Sequence, residues 1–191
     1  MEKESQSSAR TIRIVICLVV AAFLNTRLKM LSPWFEYIDW LLLVTLYVGM
    51  LRDPFQALMT ATVAGILQDG LSGSRFGISG IAQLLAVWFA FQVSSKFFIE
   101  GLLVRIPIVA GATLIYLVTR VFLYRYLGFQ LPPVMEVNRG FMEVFLGVFL
   151  NLLASLLVFA LLDRFFRVGF RQRSRRAEAM RGLRRSPWNR I

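Results

Sequence analysis

Apolar residues come in long blocks along this chain, and polar residues come in short gaps between them. Six blocks are long enough to predict helices that cross a lipid bilayer: roughly 11–30, 35–51, 54–71, 78–97, 101–127 and 139–166. A spanning helix needs about 17–25 mostly apolar residues. Stretches such as IVICLVVAAFL and FLNLLASLLVFALL do not alternate polar with apolar. A membrane β-barrel needs strands of about 9–11 residues with that alternation. The pattern therefore predicts an all-α polytopic membrane protein with six transmembrane helices. The first block follows basic residues and carries Ala21–Ala22 near its end, as a signal peptide does. It runs on through Phe23 and Leu24 with no small-x-small site, so it reads as an uncleaved span. Three regions follow: a polar N-terminal segment 1–10, a transmembrane domain 11–166 and a basic tail 167–191. Both polar ends lack an apolar face, which predicts disorder.

Composition agrees with this class. Of 191 residues, 57% are hydrophobic and 17% charged, and the mean hydropathy is +0.63. A soluble domain carries about 25% charged residues. The chain has no histidine, and its one cysteine, Cys17, lies inside the first block. An internal disulfide, a thiolate metal cluster and any histidine-based triad are thereby excluded. Neither an enzyme nor a cofactor or metal site is expected. The net charge is +11, and ten arginines fall between Asp163 and Ile191. With the N-terminus inside, the inner side collects 15 lysines and arginines and the outer side 5. That asymmetry predicts both termini in the cytoplasm. Within the tail, Arg171, Arg173, Arg175 and Arg176 are candidate contacts for anionic lipid. Nucleic-acid binding is not expected, since Trp188 alone is a poor stacking platform.

The polar residues inside the blocks are the candidates for function. In the third block, steps of four connect Ala57, Ala61, Gly65, Asp69, Gly73 and Gly77. Small residues on one helix ridge let two backbones approach closely. Ala57, Ala61 and Gly65 are thus candidate helix-packing or partner contacts. Asp69 is open to three readings: a cap or turn bond to free amides, a pair with Arg75 or Arg120, or a ligand to an ion or substrate. In the sixth block, the ridge Arg139, Glu143, Gly147, Asn151, Ser155 predicts an Arg139–Glu143 pair. Gly147 and Asn151 are its packing candidates, and Asn151 needs a partner on another helix. Arg105 and Arg120, fifteen residues apart, are expected to snorkel to opposite faces. Asp53-Pro54 reads as an N-cap followed by proline at the first helical position. Asp39 is expected at the outer start of the second helix.

DWLLLVTLYVGMLRDP followed by GILQDGLSGSRFGISGIAQLL resembles the rod shape-determining protein MreD family of bacteria. The family pattern is an Asp or Asn before Trp or Leu opening a helix, a later Pro, then G-x-L-x-D-x-x-S-G-x-x-x-G. Here Asp39, Trp40, Pro54, Gly65, Leu67, Asp69, Ser72, Gly73 and Gly77 stand in those places. The resemblance implies a non-enzymatic inner-membrane component of the cell-elongation machinery. It implies docking to MreC, a single-span protein, near MreB, the RodA glycosyltransferase and its partner transpeptidase, which build side-wall peptidoglycan. It also implies a fold similar to the substrate-binding subunits of energy-coupling-factor transporters. That likeness supplies the alternative, a vitamin-type small-molecule binding subunit. The two differ in a visible way: a transporter subunit needs convergent polar groups around a cavity, whereas a scaffold needs small-residue ridges.

Overall fold

The structure, a computed structural model, describes residues 2–31, 35, 37–51, 53–73, 75–96, 105–129 and 141–184. Side chains of 2–9, 29, 31, 141–144 and 167–184 lie outside that description. The described residues form six α-helices: α1 Glu2–Leu31, α2 Trp40–Met50, α3 Pro54–Ser72, α4 Ile78–Lys96, α5 Ile106–Tyr126 and α6 Phe141–Arg184.

Four of them hold stretches long and apolar enough to cross a membrane: Arg10–Leu28, Ile78–Lys96, Ile106–Tyr126 and Phe145–Phe166. Of the six expected spans, the second already the shortest, α2 and α3 are not among these four. The second helix does not begin at Phe35. Asp39 caps it and α2 starts at Trp40, leaving 11 residues, or about 16 Å at 1.5 Å per residue. That is about half of the hydrocarbon thickness of about 30 Å. The reason is its position: α2 touches each of the other five helices, and Leu41 through Gly49 are all buried. A helix that is apolar all round is a core helix, and a block of apolar residues cannot by itself distinguish protein from lipid as the surroundings.

The third helix, α3, has 19 residues, about 28 Å, but sorts its side chains inside out. Phe55, Met59, Val63, Ile66 and Leu71 are exposed, while Ala57, Thr60, Ala61, Ala64, Gly65, Gln68 and Asp69 are buried. Lipid solvates the large apolar face, and the small and polar face packs inward. On α4, Ala82, Ala86 and Ala90 form a matching small-residue ridge, each fully buried.

Helix also continues through polar ends expected to be disordered. Its α1 begins at Glu2, and α6 runs to Arg184. Once an apolar stretch has nucleated a helix, each added residue gains one hydrogen bond. The tail candidates Arg171, Arg173, Arg175 and Arg176 lie on α6, but their side chains are among those not described.

Candidate functional site

The α3–α4 turn marks one end of the bundle, and the first turn of α1's apolar stretch marks the other. The polar residues gather near the turn end, around Asp39. Its Oδ1 accepts from the Leu42 amide at 3.1 Å and so caps α2. Its Oδ2 accepts from the Tyr116 hydroxyl of α5 at 2.7 Å and from Gln68 Nε2 of α3. Its own amide donates to Asn151 Oδ1 of α6 at 2.9 Å. Gln68 Nε2 also donates to the Tyr116 oxygen at 3.0 Å, and Gln68 Oε1 accepts from Gln83 Nε2 of α4. Five helices are thus linked through Asp39, Gln68 and Tyr116. In a water-free interior each of these bonds replaces a lost hydration, so the cluster fixes how the helices sit.

Arg120 joins the cluster from α5. Its Nη1 donates to the Tyr116 oxygen at 3.1 Å, and its guanidinium lies 5.3 Å from the Tyr116 ring centroid. Tyr116 thereby stands between Arg120 and Asp39. The expected snorkelling to an interface is corrected here, because Arg120 turns inward to a tyrosine. Asp39, at the start of the short α2, is the acid it faces across the Tyr116 hydroxyl.

The α3–α4 turn is the second part of the site. Asp69 Oδ2 accepts from the Gly77 amide at 2.7 Å, and Oδ1 accepts from the Ser79 amide at 3.2 Å. These are free donors at the start of α4, where the helix dipole also favours an anion. The cap reading of Asp69 is therefore present in the structure. Arg75, a pairing candidate, lies over the Phe129 ring at 4.7 Å. Gly73 closes α3 at φ 62°, and Gly77 enters α4 at φ 97°. Both are left-handed conformations that glycine adopts at little cost. Gly65 meets α4 directly: a Cβ on it would overlap Gly80 Cα and stand 2.6 Å from Gly80 N. Ala57, Ala61 and Gly65 are all buried within the chain, and Gly65 packs on α4, which is the internal of the two roles open to that ridge. A Cβ on Gly147 would meet no described atom within 4 Å, so Gly147 makes no such approach. Asn151 does what its position asks, through the Asp39 amide.

Ion pairs hold the opposite end. Asp53 caps α3 through the Gln56 amide at 3.3 Å, Pro54 follows at the first position, and Arg10 pairs with Asp53 at 3.3 Å. Arg105, expected to snorkel, instead pairs with Asp163 of α6 at 3.2 Å, with Tyr47 of α2 donating to the same carboxylate at 2.9 Å. The expected Arg139–Glu143 pair lies outside the described side chains.

Gln68, Gln83 and Tyr116 were not singled out by sequence reasoning. A usable signal was there: Ser79 and Gln83 on α4, and Thr113, Tyr116, Arg120 and Tyr124 on α5, repeat at three- and four-residue steps inside apolar helices. Among the described residues no group of three His, Cys, Asp or Glu converges as a metal site would. The arrangement orients helices.

Searches of curated proteins and of solved structures gave no match, so the likeness to energy-coupling-factor subunits stays an expectation from resemblance. The family model of the rod shape-determining protein MreD matches residues 8–165, from α1 to the end of the apolar part of α6. The motif residues Asp39, Pro54, Asp69, Gly73 and Gly77 each hold a helix start or turn within that match. This integral membrane protein belongs to the MreD family.

Proposed function

We propose that this chain is a non-enzymatic component of the bacterial rod-shape machinery in the inner membrane, and that it docks the single helix of an MreC-like partner. Family membership supports the rod-shape role. The observation that carries docking is on α6. Phe145, Phe149, Leu153, Leu157, Leu161 and Phe165 follow one another at steps of four, and all are exposed. Such a row is a ridge that fits the groove of a second helix. Through MreC the chain supports side-wall peptidoglycan synthesis by RodA and its transpeptidase, and reaches MreB more indirectly. The basic asymmetry of the loops supports both termini in the cytoplasm, with Arg171, Arg173, Arg175 and Arg176 holding anionic lipid there.

The alternative, a vitamin-type binding subunit, needs polar groups free to receive a molecule. At the centre of the cluster, Asp39, Gln68, Tyr116 and Asn151 bond one another instead, which favours the scaffold. Rescue of a strain lacking its own MreD tests the reading. The wild-type chain restores rod shape and co-purifies the partner, while a chain with Leu153 and Leu157 changed to Ala loses both. Restored shape with no recoverable partner would refute docking.

A further inference from the structure

Between Phe145 and Leu162, α6 is apolar on every side except at Asn151 and Ser155, and Asp163 follows. Lipid tails are as apolar as leucine, so such a helix gains little by turning one apolar face rather than another toward the protein. Polar and shape-specific contacts must set its rotation instead. Ser155 is spent within the helix, on the Leu152 carbonyl at 2.7 Å. Among the described side chains of α6, hydrogen bonds to the rest of the chain come from Asn151 and Asp163.

Both lead to α2. Asn151 accepts from the amide of Asp39, the cap of α2. Toward the other end, Tyr47 of α2 is gripped by three residues of α6. Its ring packs on Phe159 and Phe166, with centroids 5.5 and 5.6 Å apart, and its hydroxyl donates to Asp163 Oδ1 at 2.9 Å. Residues at such four- and three-residue steps share one helix face. Arg105, at the start of α5, closes the grip. Its Nη1 donates to both Asp163 oxygens at 3.2 Å, and its guanidinium lies 5.9 Å from the Tyr47 ring centroid. Tyr47 is 3% exposed, and the Arg105 and Asp163 side chains 15% and 16%. A pair shielded to that degree is screened less than a surface pair.

The exposed ridge stands on the other side of the same helix. Leu157 and Phe159 are two residues apart, about 200° of turn. A grip on Phe159, Asp163 and Phe166 therefore aims Leu153, Leu157 and Leu161 outward, where they are exposed.

We propose that Tyr47, Arg105 and Asp163 are positioning residues for partner docking: they fix the rotation of α6 and so decide which of its apolar faces the partner helix meets. The inference rests on the docking reading of the α6 ridge, and its test separates the two.

The full chain, in a Cys17→Ser background and without partner, is placed in phosphatidylcholine vesicles. Spin labels are attached one at a time through Leu153→Cys and Leu157→Cys, at exposed positions, and through Leu152→Cys and Val158→Cys, at positions packed on the core. Access of lipid-dissolved oxygen to each label reads the rotation. With the grip intact, the first two labels should be more accessible than the second two. Asp163→Leu should erase that contrast, and Tyr47→Phe, which keeps the ring and loses the hydroxyl, should reduce it. Asp53→Asn, which breaks the Arg10 pair at the same end of the bundle, should leave it unchanged. Exchanging the charges, Arg105→Asp with Asp163→Arg, should restore it, which no general loosening would do.

In cells carrying the single-span partner, the variants that lose the contrast should lose partner recovery, and the exchanged pair should regain it. Unchanged contrast in both Asp163→Leu and Tyr47→Phe overturns the proposal and leaves docking standing. Equal loss in Asp53→Asn overturns it as well. Lost contrast with full partner recovery overturns it through the docking reading itself. Should Asp163→Leu fail to fold, Tyr47→Phe decides alone.

Discussion

Gly65 of α3 and Gly80 of α4 press backbone against backbone, with Gly80 N 2.6 Å from where a Cβ on Gly65 would stand. No side chain fits between them, alanine included. Gly65→Ala should therefore lower the unfolding free energy in detergent by about 1–3 kcal/mol, the usual cost of overpacking, and Gly65→Leu by more. Gly147→Ala, where a Cβ meets no described atom within 4 Å, should change stability by less than about 0.5 kcal/mol. Thermal unfolding of the three variants side by side checks the contrast.

Asp69 spends both oxygens on the start of α4. Asparagine keeps one acceptor and loses the charge that the helix dipole favours. Asp69→Asn should fall between wild type and Asp69→Ala, which leaves two donors without a partner at about 1–3 kcal/mol each. Equal stability of Asp69→Asn and wild type would mean that one oxygen suffices.

The Tyr116 hydroxyl receives Gln68 and Arg120 and donates to Asp39. Tyr116→Phe keeps the ring and removes the joint. It should destabilise by about 1–3 kcal/mol, since charged partners are left short of a bond. Combined with Asn151→Ala, the effects should be non-additive, because both residues hold Asp39. A double-mutant cycle with a coupling energy near zero would show that they act separately.

Reading this chain from its sequence worked best where the signal is local. Asp53 before Pro54, Gly73 closing α3 and Asp69 at the turn all act within a few residues, so their spacing alone is informative. Asn151 was legible as needing a partner, but the partner, an amide 112 residues away, was not. Core α2 and α5, which is long and apolar enough to cross a membrane, look alike as apolar blocks, because apolar side chains suit protein and lipid equally. Arg120 and Arg105 were misplaced for the same reason. Which charge faces lipid and which faces a carboxylate depends on helix rotation, and rotation is set by packing partners far away in the chain.

The basic residues of the loops predict orientation. Reporter fusions after Gly128 and at the C-terminus should report opposite sides of the membrane, the first outside and the second inside. The same side for both would exclude the proposed topology.

The central claim is that the outer ridge of α6 receives a partner helix, and site-directed cross-linking in cells tests it most directly. In a Cys17→Ser background, single cysteines would be placed at Phe149, Leu153 and Leu157 on the ridge and at Val63 and Ile66 on the lipid-exposed face of α3. The partner would carry single cysteines along its one helix. The account predicts disulfide-linked complexes from the ridge positions, recurring at four-residue steps, and none from α3. Cross-links from α3 alone, or equal yields from both faces in cells that keep their rod shape, would contradict it.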